Sequence, residues 1–265
     1  MRDRFRKSRS LAHRHRGHPS LHGHPPLTPA GVLLAHPLII SGVVALFLFL
    51  AIAARINDGS LLRTWDKPIT RALVDLRSPG LDGIVKAISS LGGITVVVLM
   101  AALLLLLVWH ECRALALVLM TATLARPLLE WGLKELIDRP RPEMGRLVAG
   151  NGPSFPSGHV MAAIAIWGLL PPVMALVSGR RAVWWWSVAT SSVVVLGVSF
   201  SRVYLGVHWF SDVVGAMVLG TLYLLAVEWL LDWHHRRQMC AGLRAGYEAM
   251  AERERRDTPM VGAAR

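Results

Sequence analysis

The sequence predicts an all-α polytopic membrane protein, built as a bundle of six transmembrane helices. The chain has 265 residues, of which 53% are hydrophobic, and so high a share is unusual for a soluble domain. The apolar residues form blocks without the period-two alternation of a membrane β-strand. A helix needs roughly 20 apolar residues to cross about 30 Å of hydrocarbon. Six blocks approach that length: Leu38–Ala54, Gly92–Trp109, Ala114–Leu133, Val160–Val177, Ala182–Phe200 and Phe210–Leu231.

The third block is the least regular of the six, because Arg126 and Pro127 interrupt it. A charged side chain at that depth is costly unless it faces a polar interior or reaches the membrane surface. The proline also leaves a backbone carbonyl that packing has to satisfy. We therefore expect Arg126 to face the inside of the bundle or to extend toward the surface.

Composition divides the chain into three parts. Residues 1–30 are rich in Arg, His, Pro and Ser and lack apolar periodicity, which predicts a disordered basic tail. Residues 31–233 hold the six apolar blocks and form one domain. Residues 234–265 make a second charged tail, for which helix formers predict helical structure over part of its length.

The placement of the +12 formal charge predicts the orientation in the membrane. Basic residues crowd the N-terminal tail and recur at Arg113, at Arg180 and Arg181, and in the C-terminal tail. Six crossings put all of these on one side, which the positive-inside rule assigns to the cytoplasm. Both termini are therefore expected there, in a plasma membrane. On the outer side, basic residues are interleaved with acidic ones, among them Asp66.

The basic charge does not predict a nucleic-acid partner, because the charged tails flank membrane helices and suit anionic lipid. Five histidines in the N-terminal tail could hold a metal ion, although an incidental polar tail is the simpler interpretation: His13, His15, His18, His22 and His24. Cys112 and Cys240 both fall on the predicted cytoplasmic side, so no disulfide is expected.

Three short polar segments between the apolar blocks carry residues suited to chemistry. They are residues 134–142, 156–159 and 201–212. In a six-helix topology all three lie on the outer face, and His159 and His208 are the only histidines on that face. The sequence therefore predicts one extracytoplasmic site assembled from the three segments.

Fixed cations in these segments suit a phosphate group. Lys134 ends the third block, Arg141 follows in a proline-rich stretch, and Arg202 opens the third segment. A guanidinium donates parallel hydrogen bonds to phosphate oxygens. Any one of these cations could instead reach for the membrane surface. We interpret the neighbouring Arg139 in that way, as a surface charge.

The second segment predicts an anion site at the start of the fourth helix. Ser157 is a plausible N-cap residue, and Gly158 lets a ligand approach the backbone. Unpaired N–H groups at a helix N-terminus favour an anion. His159 would then lie in the first helical turn beside that anion. An ordinary cap followed by an interfacial histidine is the alternative.

In the third segment, His208 and Asp212 are spaced four residues apart and share one helical face. Asp212 can accept a hydrogen bond from Nδ1–H of His208 and leave Nε2 available to attack phosphorus. A histidine and a carboxylate at a membrane boundary are expected to have such a function.

These residues resemble the signature of the type 2 phosphatidic acid phosphatase superfamily, which includes the lipid phosphate phosphatases. The pattern is Lys-x6-Arg-Pro, Pro-Ser-Gly-His and Ser-Arg-x5-His-x3-Asp. The matching positions, in the family's order and spacing, are Lys134, Arg141, Pro142, Pro156, Ser157, Gly158, His159, Ser201, Arg202, His208 and Asp212. The resemblance covers roughly residues 35–232 and neither tail.

The resemblance implies a role for each residue. His208 would be the nucleophile that forms a phosphohistidine, oriented by Asp212, and His159 the general acid for the leaving oxygen. The phosphoryl oxygens would be held by Lys134, Arg141, Ser157, Gly158 and Arg202. The fixed cations would replace a metal ion, so neither a metal nor a cofactor is expected, and vanadate should inhibit as a mimic of pentacoordinate phosphorus.

Superfamily resemblance does not identify the substrate. A lipid phosphate or diphosphate in the membrane is the first candidate class, such as undecaprenyl diphosphate, phosphatidic acid or phosphatidylglycerophosphate. Transfer of the phosphoryl group to an alcohol instead of water, by a lipid phosphotransferase, is one alternative. A non-catalytic transporter or scaffold is another. The sequence does not predict an oligomeric state.

Overall fold

The computed structural model describes residues 29–57, 59–109, 113–178 and 180–236. The predicted N-terminal tail up to residue 28, the C-terminal tail beyond residue 236, Cys112 and Cys240 lie outside these ranges. The chain divides into two units, Met1–Ile39 and Ile40–Arg265. In the first unit the described residues belong to one helix, and the second unit contains all the residues of the predicted site.

All regular structure within the described ranges is helical, which confirms the predicted all-α class. A single π-helical turn, Leu62–Asp66, precedes the second α-helix. The α-helices are α1 Pro29–Asn57, α2 Lys67–Asp75, α3 Pro79–Ser90, α4 Ile94–Trp109, α5 Arg113–Ile137, α6 Gly158–Trp167, α7 Leu170–Ser178, α8 Arg181–Tyr204 and α9 Phe210–Arg236.

Two described helices are long and apolar enough to cross a membrane. They are α8 and the first 18 residues of α9, Phe210–Val227. Helices α3 and α4 meet at an angle of 41° and would add a third span if they act as one broken helix. Shorter apolar helices cover Ser41–Ile56 and Gly158–Met174. The six-helix topology and its orientation therefore stay predictions.

Helix α6 lies at the centre of the packing. Its residues from Val160 to Ile166 are all buried. One side of α6 packs against α8 and α9, where Ile164 belongs to a cluster that also contains Val198 and Val213. The first turn of this central helix carries His159, so the interior packing determines where that imidazole lies.

The long connection between α5 and α6 is tied to the short one between α8 and α9. The backbone N–H of Leu147 donates to the Leu205 carbonyl at 3.1 Å, and the Trp209 indole donates to the Pro140 carbonyl at 2.9 Å. Residues 201–209 of the short connection and the end of α8 are all buried. The two polar segments that are farthest apart in sequence are thereby brought side by side.

Arg77, between α2 and α3, links the connection between α5 and α6 to the end of α8. Its guanidinium donates to the Tyr204 carbonyl at 2.7 and 2.9 Å and to the Gly145 carbonyl at 2.6 Å. The Tyr204 hydroxyl donates to Asp82 at 2.7 Å. Backbone carbonyls that leave the helical pattern are thus satisfied by side chains, as burial requires.

Gly215 in α9 permits the close packing of Phe155, which is fully buried beside the predicted site. A methyl group on Gly215 would overlap the Phe155 ring, with its Cζ at 2.7 Å. Gly215→Ala should therefore lower the melting temperature, whereas Gly132→Ala in α5, which has open space around it, should leave it unchanged or raise it through better helix propensity. Thermal unfolding of both variants in detergent checks this. An equal response of the two would contradict the packing argument.

Candidate active site

His208 lies between α8 and α9 and is 2% exposed. Its Nδ1 is 2.8 Å from the Ser154 carbonyl oxygen. A carbonyl oxygen only accepts hydrogen bonds, so Nδ1 carries the proton. Nε2 therefore carries the lone pair, and it faces Nη1 of Arg141 at 3.2 Å. This tautomer is the one that a nucleophilic Nε2 requires.

The surroundings of His208 keep its imidazole neutral. Burial lowers the pKa of His208 to about 4, because desolvation disfavours the charged ring, and the nearby cations Arg202 and Arg141 act in the same direction. The Asp212 carboxylate opposes this change in the pKa without overcoming it. At neutral pH the ring is therefore neutral, with its proton on Nδ1 and a lone pair on Nε2.

Asp212 lies farther from Nδ1 of His208 than the hydrogen bond predicted from the sequence requires. Its Oδ2 is 3.6 Å from Nδ1 of His208, beyond a good hydrogen bond. The same oxygen accepts from the backbone N–H of Trp209 at 2.9 Å, and Oδ1 accepts from Arg139. The Ser154 carbonyl accepts the hydrogen bond from Nδ1–H instead. The fully buried Asp212 carboxylate remains close enough to stabilise positive charge on the ring.

The interpretation of Arg139 as a surface charge is wrong, because the residue is only 6% exposed. Its Nη2 donates to Asp66 at 2.6 Å, and its Nη1 donates to both Ser211 and Asp212. The chain turns at Asp138, whose φ is 40°, and Arg139 follows directly into the interior. Two fully buried carboxylates require a counter-charge, and Arg139 supplies it to both.

Arg141 is held in one orientation by backbone carbonyls. Its Nε donates to Gly152 at 2.9 Å, its Nη2 to Asn151 and Pro153 at 2.9 and 3.1 Å, and its Nη1 to Val207 at 2.8 Å. A guanidinium with so many bonds needs little reorganisation when a ligand binds. Arg141 thus presents a positioned cation beside Nε2 of His208.

Two buried polar atoms in the predicted phosphate site have no hydrogen-bond partner among the described residues. They are the hydroxyl of Ser157 and Nε of Arg202. Arg202 is otherwise held by Ser89, whose hydroxyl accepts from Nη1 at 2.7 Å. Ser157 precedes α6 in an extended conformation, as an N-cap residue does, but its hydroxyl makes no cap hydrogen bond. Unsatisfied buried donors are costly, and an anion beside Arg202 would satisfy its Nε.

Six of the eight residues predicted from the sequence line one cavity of about 270 Å³. Ser157 and Asp212 are not part of its lining and lie behind it. Arg126 and Glu130, which the sequence did not assign to the site, also line the cavity. The expectation that Arg126 faces a polar interior is confirmed. The six predicted residues in the lining are Lys134, Arg141, Gly158, His159, Arg202 and His208.

Some of the residues that sequence reasoning missed follow a pattern in the sequence, and others do not. Arg126, Glu130 and Lys134 are spaced four residues apart on one helix, and this spacing could have indicated a shared face. Asp66 and Ser154 carried no such signal. Asp66 ends the π-helical turn before α2 and Ser154 lies in the connection before α6, and the positions of both depend on the packing of other elements.

Comparison with known proteins places these residues in a family. Residues 112–239 match the model of the PAP2 superfamily. Phosphatidylglycerophosphatase B of Bacillus subtilis (strain 168) is 31% identical over an alignment of 205 residues, and the match covers 70% of this chain and 92% of that protein. The crystal structure of a transmembrane PAP2-type phosphatidylglycerolphosphate phosphatase from Bacillus subtilis superposes with a TM-score of 0.65 at 27% identity. The superposition covers 72% of this chain and 96% of the chain in that crystal structure.

This likeness spans nearly the whole length of both relatives, and the family match at residues 112–239 includes all three polar segments. The chain belongs to the PAP2 superfamily. It is a membrane lipid phosphatase of the PAP2 type, a phosphoric monoester hydrolase, similar to the phosphatidylglycerophosphatase B and to the crystal structure from Bacillus subtilis.

Asp66 is expected to act on catalysis through Arg139 and Asp212. Asp66→Asn weakens the bond to Arg139, which frees Arg139 and Asp212 to move relative to His208. We expect a lower melting temperature and a kcat reduced by up to roughly a hundredfold, with KM little changed. Steady-state kinetics on a lipid phosphate measure the two constants separately.

The matched control for this prediction is Asp75→Asn. It makes the same change in charge on an exposed residue of α2 and should leave kcat unchanged. A folded Asp66→Asn protein with the wild-type kcat would show that the buried ion pairs do not position Asp212.

Proposed function

We propose that this protein hydrolyses the phosphate monoester of a membrane lipid of the phosphatidylglycerophosphate type through a phosphohistidine on His208. The observation that carries the proposal is the neutral imidazole of His208, whose Nε2 lone pair lies 3.2 Å from Arg141 beside the cation-lined cavity. The substrate class rests on the two relatives, both described as acting on this lipid. Phosphatidic acid and undecaprenyl diphosphate are the competing substrates.

In the first half-reaction, Nε2 of His208 attacks phosphorus, the N–P bond forms and the bond to the lipid oxygen breaks. Burial and the nearby Arg202 lower the pKa of His159 to about 3, so His159 takes up a proton only when the phosphate dianion binds beside it. His159, at the start of α6, then donates this proton to the lipid oxygen, a contribution typically worth about 10²–10⁴-fold. The imidazole becomes positively charged, and the Asp212 carboxylate at 3.6 Å stabilises this charge. The Nδ1 proton stays hydrogen-bonded to Ser154.

In the second half-reaction, water attacks the phosphohistidine and the N–P bond breaks. His159, now neutral, accepts a proton from the water. Inorganic phosphate leaves, and His208 returns to its starting tautomer. The same two histidines therefore serve both halves, with His159 alternating between acid and base.

The phosphoryl oxygens are held by Lys134, Arg141 and Arg202, with Ser157 and the backbone at Gly158. Three cations offset the charge of a phosphate dianion, so the proposed reaction is independent of a metal ion. Positioned charges of this kind are usually the largest contribution to phosphoryl transfer. The Nε of Arg202, a buried donor with no partner among the described residues, supports this assignment, because a phosphate oxygen in the cavity that Arg202 lines would satisfy it.

We also propose the cellular setting. Residues 31–233 form the phosphatase domain, with six membrane crossings, both termini in the cytoplasm and the site on the outer face of the plasma membrane. The support is the distribution of basic residues and the order of the apolar blocks. A site at the edge of a helix bundle accepts a phosphate head group while the lipid chains stay in the membrane.

His208→Ala should abolish phosphate release without loss of the fold, because no other group can form the N–P bond. The measurement compares four lipids with the detergent-purified protein: phosphatidylglycerophosphate, phosphatidic acid, lysophosphatidic acid and undecaprenyl diphosphate. We expect phosphatidylglycerophosphate to have the largest kcat/KM. Turnover by the His208→Ala variant would exclude the phosphohistidine, and transfer to an added alcohol would indicate a phosphotransferase.

Chelation with EDTA should leave the activity unchanged, and vanadate should inhibit competitively. The reason is that the three fixed cations neutralise the phosphate and bind a trigonal bipyramidal oxyanion in its place. Activity is measured on the preferred lipid before and after dialysis against EDTA. Loss of activity that Mg²⁺ or Mn²⁺ restores would contradict the metal-independent reaction.

A further inference from the structure

Glu130 places a carboxylate inside a cavity otherwise built to bind an anion. It lies on α5, one helical turn before Lys134 and one turn after Arg126. Its Oε1 accepts from Lys134 at 2.7 Å and its Oε2 from Arg126 at 2.7 Å. The side chains of Arg126 and Glu130 are only 9% and 16% exposed. The three groups therefore form a continuous ladder of ion pairs along one face of α5.

The carboxylate also lies directly against Gly158. A methyl group on Gly158 would overlap both oxygens of Glu130. Gly158 begins α6 and is the residue whose backbone we assign to the phosphate. The Glu130 carboxylate thus occupies space in front of Gly158, beside one of the proposed phosphate cations.

A phosphate group and this carboxylate cannot share that space. Lys134 has three N–H donors and could serve both anions, but two anions in contact repel each other strongly in a partly buried site. The carboxylate has a second partner in Arg126, one turn farther from the phosphate cations, which allows it to move away from Gly158 and remain paired.

We propose that Glu130 competes with phosphate for the position at Gly158 and Lys134 and thereby weakens the binding of inorganic phosphate. This inference rests on the proposed assignment of the cavity to phosphate. A lipid phosphate is concentrated at the site by its membrane anchor, whereas inorganic phosphate has only the cavity contacts. Competition by Glu130 therefore keeps inorganic phosphate, the reaction product, from occupying the site.

The test measures binding of inorganic phosphate to detergent-purified wild type and Glu130→Gln, by competitive inhibition of lipid hydrolysis and by equilibrium binding. The amide has nearly the same shape as the carboxylate and no charge. We expect the variant to bind phosphate about tenfold more tightly or better, and to have a lower KM for the lipid. Unchanged or weaker phosphate binding would overturn the proposal.

Two further variants control for charge and folding. Glu135→Gln makes the same substitution at an exposed residue of α5 and should bind phosphate as the wild type does. Arg126→Gln/Glu130→Gln removes both charges of the pair, so the cavity keeps its net charge and no buried arginine loses its partner. This double variant should still bind phosphate more tightly than the wild type. If it binds with wild-type affinity, net charge and not the carboxylate at Gly158 sets the affinity, and the proposal fails.

The two proposals can fail separately. Equilibrium binding of phosphate needs no turnover and can be repeated in the His208→Ala protein. Tighter binding in Glu130→Gln without hydrolysis of any lipid would reject the proposed function and leave the role of Glu130 intact. Lipid hydrolysis by the wild type, together with unchanged phosphate binding in Glu130→Gln, would support the proposed function and reject the role of Glu130.

Discussion

The Arg139 guanidinium, buried between Asp66 and Asp212, is the interaction on which the rest of the site depends. It joins the turn before α2, the connection after α5 and the first turn of α9. Neither carboxylate could be fully buried without it, since an unpaired buried charge is strongly destabilising. The Arg139 backbone contributes as well, because its carbonyl accepts from the Ser154 N–H at 2.7 Å. One residue therefore holds both groups that face Nδ1 of His208, the Ser154 carbonyl and the Asp212 carboxylate.

A second constraint is the balance of charge around the neutral imidazole. Burial and two nearby guanidinium groups lower the pKa of His208, so that its imidazole is neutral, while the Asp212 carboxylate acts in the opposite direction. In the same cavity, Glu130 pairs with Arg126 and Lys134. The site thus combines strong charges that are already paired with one another.

Much of the site was predictable because its residues lie in short segments with diagnostic spacing. Lys134, His159 and His208 were assigned to one site from the chain alone, and all three line the cavity. Arg139 was assigned wrongly, since a Pro-flanked arginine beside a membrane helix has no local feature that distinguishes a surface charge from a buried one. The prediction that Asp212 accepts the hydrogen bond from Nδ1–H of His208 was also wrong in part. The acceptor is the backbone carbonyl of Ser154, which no side-chain pattern in the sequence indicates.

The sequence by itself determined the all-α class, the apolar blocks and the residue types that suit phosphoryl transfer, because periodicity, hydropathy and motif spacing are local properties. Only the tertiary structure decided which charges are buried and which groups meet. Asp66 reaches Arg139 across 73 residues, and Glu130 lies against Gly158 because α5 packs beside α6. Such contacts depend on the distances between elements, and no pattern within one segment of the chain contains those distances.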